Sequence, residues 1–448
     1  MSIPKALPQQ MAQDFCQEET NIKNLLYVEN ISQFAYFGDS VGYYKLYGDE
    51  DFNRILYLWL VNHYRQAITS NTTKDIVNQV RWLISKRIFD ITSTDYIALQ
   101  DKLLNLNTFE YEPFDVSKPV FYRAGCATTD IQLNIESRFY QFLNEVLTDD
   151  TGNPDEQLIN ITQEMFGYCL LNTLEGHASF FLVGDGANGK SVLLALLRSM
   201  VGREYSVSES IGSMTTSKWA LSSFVGKKIN ICVEEESDYI KSDKFKALVS
   251  GDPVMVEFKY GKRIQWTPTV KQIFATNEMP TFKGFNGGLL RRMKIIPFKK
   301  VIPEHLRNPK LVDELTSEMG VIVAWAIQGA KRLIKNNFKF SESTASDEST
   351  KELTGNLSSA VLFLWEQYQE DEFSNMLVDD LYDSYVLWTE KRGKKRQSYY
   401  SFLKDINKVL THKGTFIAKD PNKPAQEYKY LSVKKGDAKP EEQLQIAY

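Results

Sequence analysis

At 448 residues, 43% hydrophobic and 25% charged, the chain has the composition of a soluble globular protein and the length of roughly two to four domains. No apolar run reaches the roughly 20 residues of a membrane span, and the start, Met1-Ser2-Ile3-Pro4-Lys5, lacks a signal-peptide core, so the chain reads as cytoplasmic with no membrane partner. Cys16, Cys126, Cys169 and Cys232 lie far apart and His63, His177, His305 and His412 do not join them at ligand spacing, which argues against disulfides and zinc, while the net charge of −4 is unevenly spread, so local patches matter more than the sum.

In chain order, Phe34 to Tyr47 reads as an aromatic-rich hairpin, followed by amphipathic helices near 51–68 and 74–87, together a small α+β domain. Aromatics with interleaved lysine can stack on single-stranded bases, although such stripes usually fill a core. Helical patterns at 134–148 and 155–174 lead to the apolar run Ser179 to Val183. Next comes Gly184-Asp185-Gly186-Ala187-Asn188-Gly189-Lys190-Ser191, and after it the helical pattern Val192 to Leu197. A strand, a glycine-rich loop and a helix in this order predict a nucleotide triphosphate cradle. The glycines turn backbone N–H groups inward, Lys190 reaches the β- and γ-phosphates, and the Ser191 hydroxyl holds Mg²⁺.

The region 177–300 alternates strands and helices as a nucleotide-binding α/β core does. The strand Lys228 to Val233 ends in Glu234-Glu235-Glu236, where hydrolysis needs carboxylates. Glu234 is expected to hold the metal through water and Glu235 to orient the attacking water, with Glu236 a close competitor. A second strand, Val270 to Thr276, ends in Asn277, an amide that suits either a γ-phosphate contact or a plain turn. Between them, residues 251–266 read as two short strands around a basic tip whose Lys259, Tyr260, Lys262 and Arg263 suit a phosphate backbone and a stacked base. Arg291 and Arg292 stand at the mouth of another strand with no acid close in sequence, as groups that neutralise transition-state charge would.

Residues 341–357 are small and polar and read as a linker. Beyond it, a helix over 378–388, a basic turn with Lys394, Lys395 and Arg396, a helix over 399–410 and two strands around 415–431 give a helix-turn-helix with a wing. Residues 391–435 hold 13 Lys and Arg against 3 Asp and Glu, an excess that fits DNA contact.

The order Gly-x-x-x-Asn-Gly-Lys-Ser, acidic strand, Ser-Gly-Asp-Pro with a basic hairpin, Ala-Thr-Asn, then Arg-Arg-x-x-x-Ile-Pro-Phe, all within about 115 residues, resembles the superfamily 3 DNA helicases, most closely the phage and plasmid primase-helicase family and its poxvirus relatives. Segments 30–174 and 358–433 resemble the domain before the ATPase and the C-terminal winged-helix region of that family. The resemblance implies an AAA+-type P-loop ATPase core (151–340) between an N-terminal α+β domain (1–150) and a winged-helix-like DNA-binding domain (358–448). It further implies a homo-hexameric ring with ATP between subunits and hairpins lining a channel for single-stranded and forked DNA, 3′→5′ translocation, and ATP and Mg²⁺ as cofactors.

By the same resemblance Lys190 and Ser191 match Walker A, Glu234 and its neighbours Walker B, Asn277 sensor 1, Arg291 the arginine finger with Arg292 in reserve, and Lys259 and Tyr260 the DNA-tracking pair. The three glutamates depart from a clear Asp-Glu and leave the Walker B roles open. The roughly 150 residues ahead of the core are too few for a primase domain as well, so a helicase served by a separate primase is expected. The function expected is that of an ATP-dependent replicative helicase of a phage, plasmid or other mobile element. The alternative is a P-loop ATPase that melts an origin or translocates on DNA without processive unwinding.

Overall fold

The computed structural model describes residues 6–38, 42–64, 68–88, 95–233, 240–259, 263–277, 282–283, 287–355, 359–370, 376–409, 416–419, 427–431 and 433–435. The chain opens with α1 (Pro8–Gln17), β1 (Leu25–Val28), β2 (Gln33–Phe37), β3 (Tyr44–Tyr47), α2 (Asp49–His63), α3 (Ser70–Leu83) and β4 (Arg87–Ile88). The strands form one sheet in the order β3-β2-β1-β4, with the β2–β3 hairpin pairing Phe37 with Tyr44. Alternation sends Tyr27 and Phe34 toward the helices, where Phe34 stacks on Phe52 at 3.8 Å, and Leu26, Val28, Ala35 and Tyr44 toward the larger core. Both faces of the sheet are covered. The aromatic stripe is therefore core, with Phe34 and Tyr44 fully buried, and offers no base-stacking surface there.

A small antiparallel sheet of β5 (Tyr96–Ala98), β6 (Leu103–Asn105) and β7 (Tyr111–Glu112) precedes two helices, α4 (Arg138–Val146) and α5 (Glu156–Leu170). Ser137 and Asp155 cap them, each side-chain oxygen accepting N–H groups of the first turn.

The central unit comprises β8 (Ser179–Val183), α6 (Lys190–Val201), β9 (Ser206–Val207), β10 (Ile229–Val233), α7 (Ser242–Ser250), the hairpin strands β11 (Val254–Glu257) and β12 (Arg263–Trp266), then β13 (Lys271–Thr276), β14 (Met293–Pro297), α8 (Leu311–Ser317) and α9 (Met319–Lys335). Its sheet is parallel throughout, in the order β14-β8-β13-β10-β9. Helices cover both faces, so β13 is buried along its whole length, its apolar centre Ile273-Phe274-Ala275 flanked by buried Lys271, Gln272 and Thr276. Helices α5 and α9 cross at backbone distance: a Cβ on Gly167 would fall 2.2 Å from Ala330 N, and one on Gly329 would fall 2.2 Å from Gln163 O. Glu164, fully buried beside this crossing, accepts from Arg332 Nε at 2.6 Å and from the backbone N–H of Ser341 at 2.7 Å.

The small, polar stretch read as a linker is a helix, α10 (Thr344–Gly355), packed on β14. Ser343, Ala345 and Ser346 are buried, because short side chains let the helix lie close to the sheet. Beyond it come α11 (Ser359–Gln367), β15 (Met376–Leu377), α12 (Val378–Lys391), α13 (Tyr399–Val409), β16 (Phe416–Lys419) and β17 (Glu427–Leu431); the two helices and two strands from Val378 onward follow the expected order, while α11 and β15 were not expected. The three strands form an antiparallel sheet, β15-β17-β16, and the helices share a core of Phe363, Leu381, Tyr385, Phe402 and Ile406. Among the described residues no helix is long and apolar enough to cross a membrane.

Candidate functional site

The glycine-rich loop leaves the carboxyl end of β8 and enters α6 at Lys190. Two close approaches shape it. A Cβ on Gly184 would fall 2.3 Å from Phe298 O, and one on Gly189, at φ 92°, would fall 2.7 Å from Val146 Cγ1, so a larger residue at either position collides with fixed neighbours. Ala187 also adopts a left-handed conformation, φ 60°, and its carbonyl accepts from Ile302 N–H at 2.8 Å. Lys190 is buried. Its Nζ donates to the carbonyls of Gly184 and Asp185, the latter at 2.9 Å, and to Asn188 Oδ1 at 3.2 Å. Burial lowers its pKa, opposed in part by Asp185. Gly186 and Ser191 are exposed, Ser191 in the first turn of α6, whose N–H groups have no partner within the helix.

The loop borders a cavity of about 390 Å³, within the size of small-molecule sites. On one side stand Val233 and Asn277, the ends of β10 and β13. The register sets Thr276 beside Val183, so Asn277 stands level with Gly184, as its place after Thr276 requires. On the other side stand Phe142 of α4 and Ile302, Leu306 and Leu311 from the segment after β14. Arg138 and Glu145 of α4 also line the cavity and are joined at 3.1 Å through both terminal guanidinium nitrogens.

Arg291 and Arg292 lie elsewhere. The N–H of Ser179, the first residue of β8, donates to Arg292 O at 2.7 Å, so the pair sits at the opposite end of the sheet from the loop, about 15 Å away by strand rise. Arg291 is exposed, whereas Arg292 is half-buried and donates to Ser250 Oγ and Gly288 O. Burial and the neighbouring Arg291 charge both lower the Arg292 pKa.

In the hairpin, buried Val256 and Trp266 anchor the strands, Lys259 is exposed, and exposed Arg263 faces Glu257 across the ladder. Lys394, Lys395 and Arg396 are exposed on the turn between α12 and α13; Lys394 N–H bonds Thr389 O, Lys395 O accepts from Ser359 Oγ, and Arg396 lies over the Tyr382 ring at 5.6 Å. Glu234, Glu235, Glu236, Tyr260 and Lys262 lie outside the described residues. The fold thus brings the 184–191 loop and Asn277 to one cavity and keeps the arginine pair apart from it.

Sequence reasoning missed Arg138, Phe142 and Glu145, whose i, i+4, i+7 spacing within the helical pattern at 134–148 was the available signal. It also missed Lys228 and Lys271. Both are buried at the starts of β10 and β13, where Lys228 Nζ donates to Leu170 O at 2.7 Å and to Asn172 Oδ1, and Lys271 Nζ donates to Leu171 O. These carbonyls close the C-terminus of α5. Burial brings the Lys271 pKa down to about 7 and holds Lys228 well below the usual lysine range.

Residues 182–292 match the family described as "Family of unknown function (DUF5906)". The chain is 29% identical over 217 residues, 45% of its length, to a putative helicase of Acanthamoeba polyphaga mimivirus, and it spans 22% of the length of that relative. Among solved structures, the A-form apo structure of the NrS-1 C-terminal region superposes with a TM-score of 0.46 at 10% identity, covering 96% of this chain and all of that one. A second structure of the same region gives 0.46 at 11% identity, over 96% of this chain and all of that one. The sequence similarity to a viral helicase-like protein is therefore real and partial.

Proposed function

We propose that this chain is an ATP-dependent DNA helicase of the superfamily 3 type, with an AAA+-type P-loop core, acting in replication of a phage, plasmid or other mobile element. The observation that carries the reading is the shared cavity of the 184–191 loop and Asn277, set at the carboxyl ends of adjacent parallel strands, where ligands of open α/β sheets bind. The partial identity with a putative viral helicase supports it.

ATP fits the residues present. The loop's close approaches leave space only over its backbone, Lys190 stands among its carbonyls, and the cavity has room for a nucleotide. Lys190 and the exposed N–H groups at the start of α6 would hold the phosphates. Ser191 and Glu234 would hold Mg²⁺, which when bound neutralises phosphate charge, and Glu235 would orient water. Asn277 would face the γ-phosphate. Arg291, far from its own chain's cavity, would serve the cavity of the next subunit of a homo-hexameric ring. Lys259, Tyr260, Lys262 and Arg263 would track DNA in the channel, and Lys394, Lys395 and Arg396 on a winged-helix unit would contact phosphates, while a separate primase supplies primers.

The test is a pair of assays on the purified chain, DNA-stimulated ATP hydrolysis and displacement of a strand from a forked substrate. Both activities are expected for the native chain and neither for Lys190→Ala. Hydrolysis at the native rate by Lys190→Ala would overturn the site, and hydrolysis without strand displacement by the native chain would overturn the helicase.

A further inference from the structure

We propose that Arg138 is a nucleotide-contacting residue that stacks its guanidinium on the base, held in plane by Glu145; this rests on the nucleotide site proposed above. The direction of the cavity follows from the sheet. From the glycine-rich loop, β13 and β10 lie to one side and bring the polar end group Asn277. On the other side β14 leads into the segment carrying Ile302, Leu306 and Leu311, which faces Phe142. Phosphates belong at the loop and beside Asn277; the flat, apolar-faced base belongs at the Phe142 end.

Arg138 lies one helical turn before Phe142 on α4 and Glu145 one turn after it, so all three share a face. Phe142 closes against the loop itself: a Cβ on Gly189 would lie 3.3 Å from its Cε2. Arg138 and Glu145 line the cavity with Phe142 and are joined in the bidentate geometry that fixes a guanidinium plane. An i, i+7 pair is not a neighbouring pair of the helix surface, so helix stability alone does not account for it. The bidentate contact engages two guanidinium N–H donors and leaves both faces of the plane for an aromatic partner. Two other polar residues on this side make local hydrogen bonds. Arg307 Nε donates to Ile302 O at 3.0 Å, and Asn308 donates to Glu314 while accepting from Lys310 N–H.

The experiment is calorimetric titration of the full chain with ADP, a non-hydrolysable ATP analogue and inorganic tripolyphosphate, which has no base. Arg138→Ala is expected to weaken ADP and the ATP analogue equally, roughly five- to tenfold, the range of a partly desolvated cation–π contact, and to leave tripolyphosphate unchanged. Arg138→Lys keeps the charge without the plane and is expected to lose as much. Glu145→Gln is expected to cost less, and nothing further in the Arg138→Ala background. Weakening of tripolyphosphate, or of the ATP analogue alone, would make Arg138 a phosphate reader and overturn the proposal, as would unchanged affinity for all three. Failure of the native chain to bind any of the three ligands would instead remove the nucleotide site, and this inference with it.

Discussion

Arg292 donates through Nε to the hydroxyl of Ser250 at 2.7 Å, which ties the start of β14 to the end of α7. Its neighbour Arg291 is exposed, so the two adjacent arginines have different work.

For that reason Arg291→Ala is expected to keep the fold and ATP binding and to lose hydrolysis, whereas Arg292→Ala loses two hydrogen bonds and lowers stability by about 1–3 kcal/mol. Nucleotide titration and thermal melting of both variants separate these outcomes. Mixing Arg291→Ala with Lys190→Ala subunits is expected to restore part of the hydrolysis at interfaces that combine an intact finger with an intact loop. No recovery under demonstrated co-assembly would rule out a finger acting on a neighbour.

Lys271 gives a pH dependence with a defined sign. Its pKa is about 7 in the fold against 10.5 ordinarily, so between these values the unfolded chain holds a proton that the folded chain does not, and stability rises with pH. Thermal melts from pH 7 to about 8.5 are expected to show stability rising with pH in the native chain, with Lys228, also held low by burial, adding to the rise, and with about 1–2 kcal/mol of it due to Lys271. In Lys271→Met the increase is expected to shrink. An unchanged slope would mean that the lysine keeps its charge when buried.

The ion pair of buried Glu164 with half-buried Arg332 beside the α5–α9 crossing predicts an asymmetry. Arg332→Ala strands the Glu164 carboxylate in the interior and is expected to cost about 3–5 kcal/mol, while the double variant with Glu164→Gln removes the stranded charge and recovers a substantial part. Chemical denaturation of the three proteins measures this. A double variant less stable than Arg332→Ala would refute the assignment of the cost to an unpaired charge.

Lys259→Ala with Tyr260→Ala is expected to uncouple hydrolysis from unwinding, because the hairpin strands form a sheet of their own and contribute no residue to the cavity lining. ATP turnover is expected to persist and strand displacement to disappear. Removal of residues 356–448 is expected to do the reverse, weakening duplex binding with a lower salt slope and sparing hydrolysis. Normal unwinding by the hairpin variant would take this region out of the DNA path.

The elements that local pattern specifies were legible in the sequence. The glycine loop between Val183 and Lys190 required no long-range information, nor did the paired strands β11 and β12 or the existence of α3 and α5, although the pattern carried both helices past their observed ends at Leu83 and Leu170 to about 87 and 174. The lateral order of strands was not legible, since nothing in Lys271 to Thr276 says that it inserts between β8 and β10. That insertion is what sets Asn277 beside Gly184. Arg138 and Glu145 were hidden for a related reason: a face that lines a cavity has the same periodicity as one that lines a core. The serines of α10 misled by composition, because small side chains suit close packing as well as open chain.

The crossing at Gly167 and Gly329 leaves no side chain between the two backbones to act as a bearing. Helices in that relation cannot slide or roll without first separating, and close-packed interiors resist separation. The stretch before the glycine-rich loop and the stretch after the central sheet are thereby welded into a single lever that spans the unit. A hinge placed between these two helices would have to break that contact.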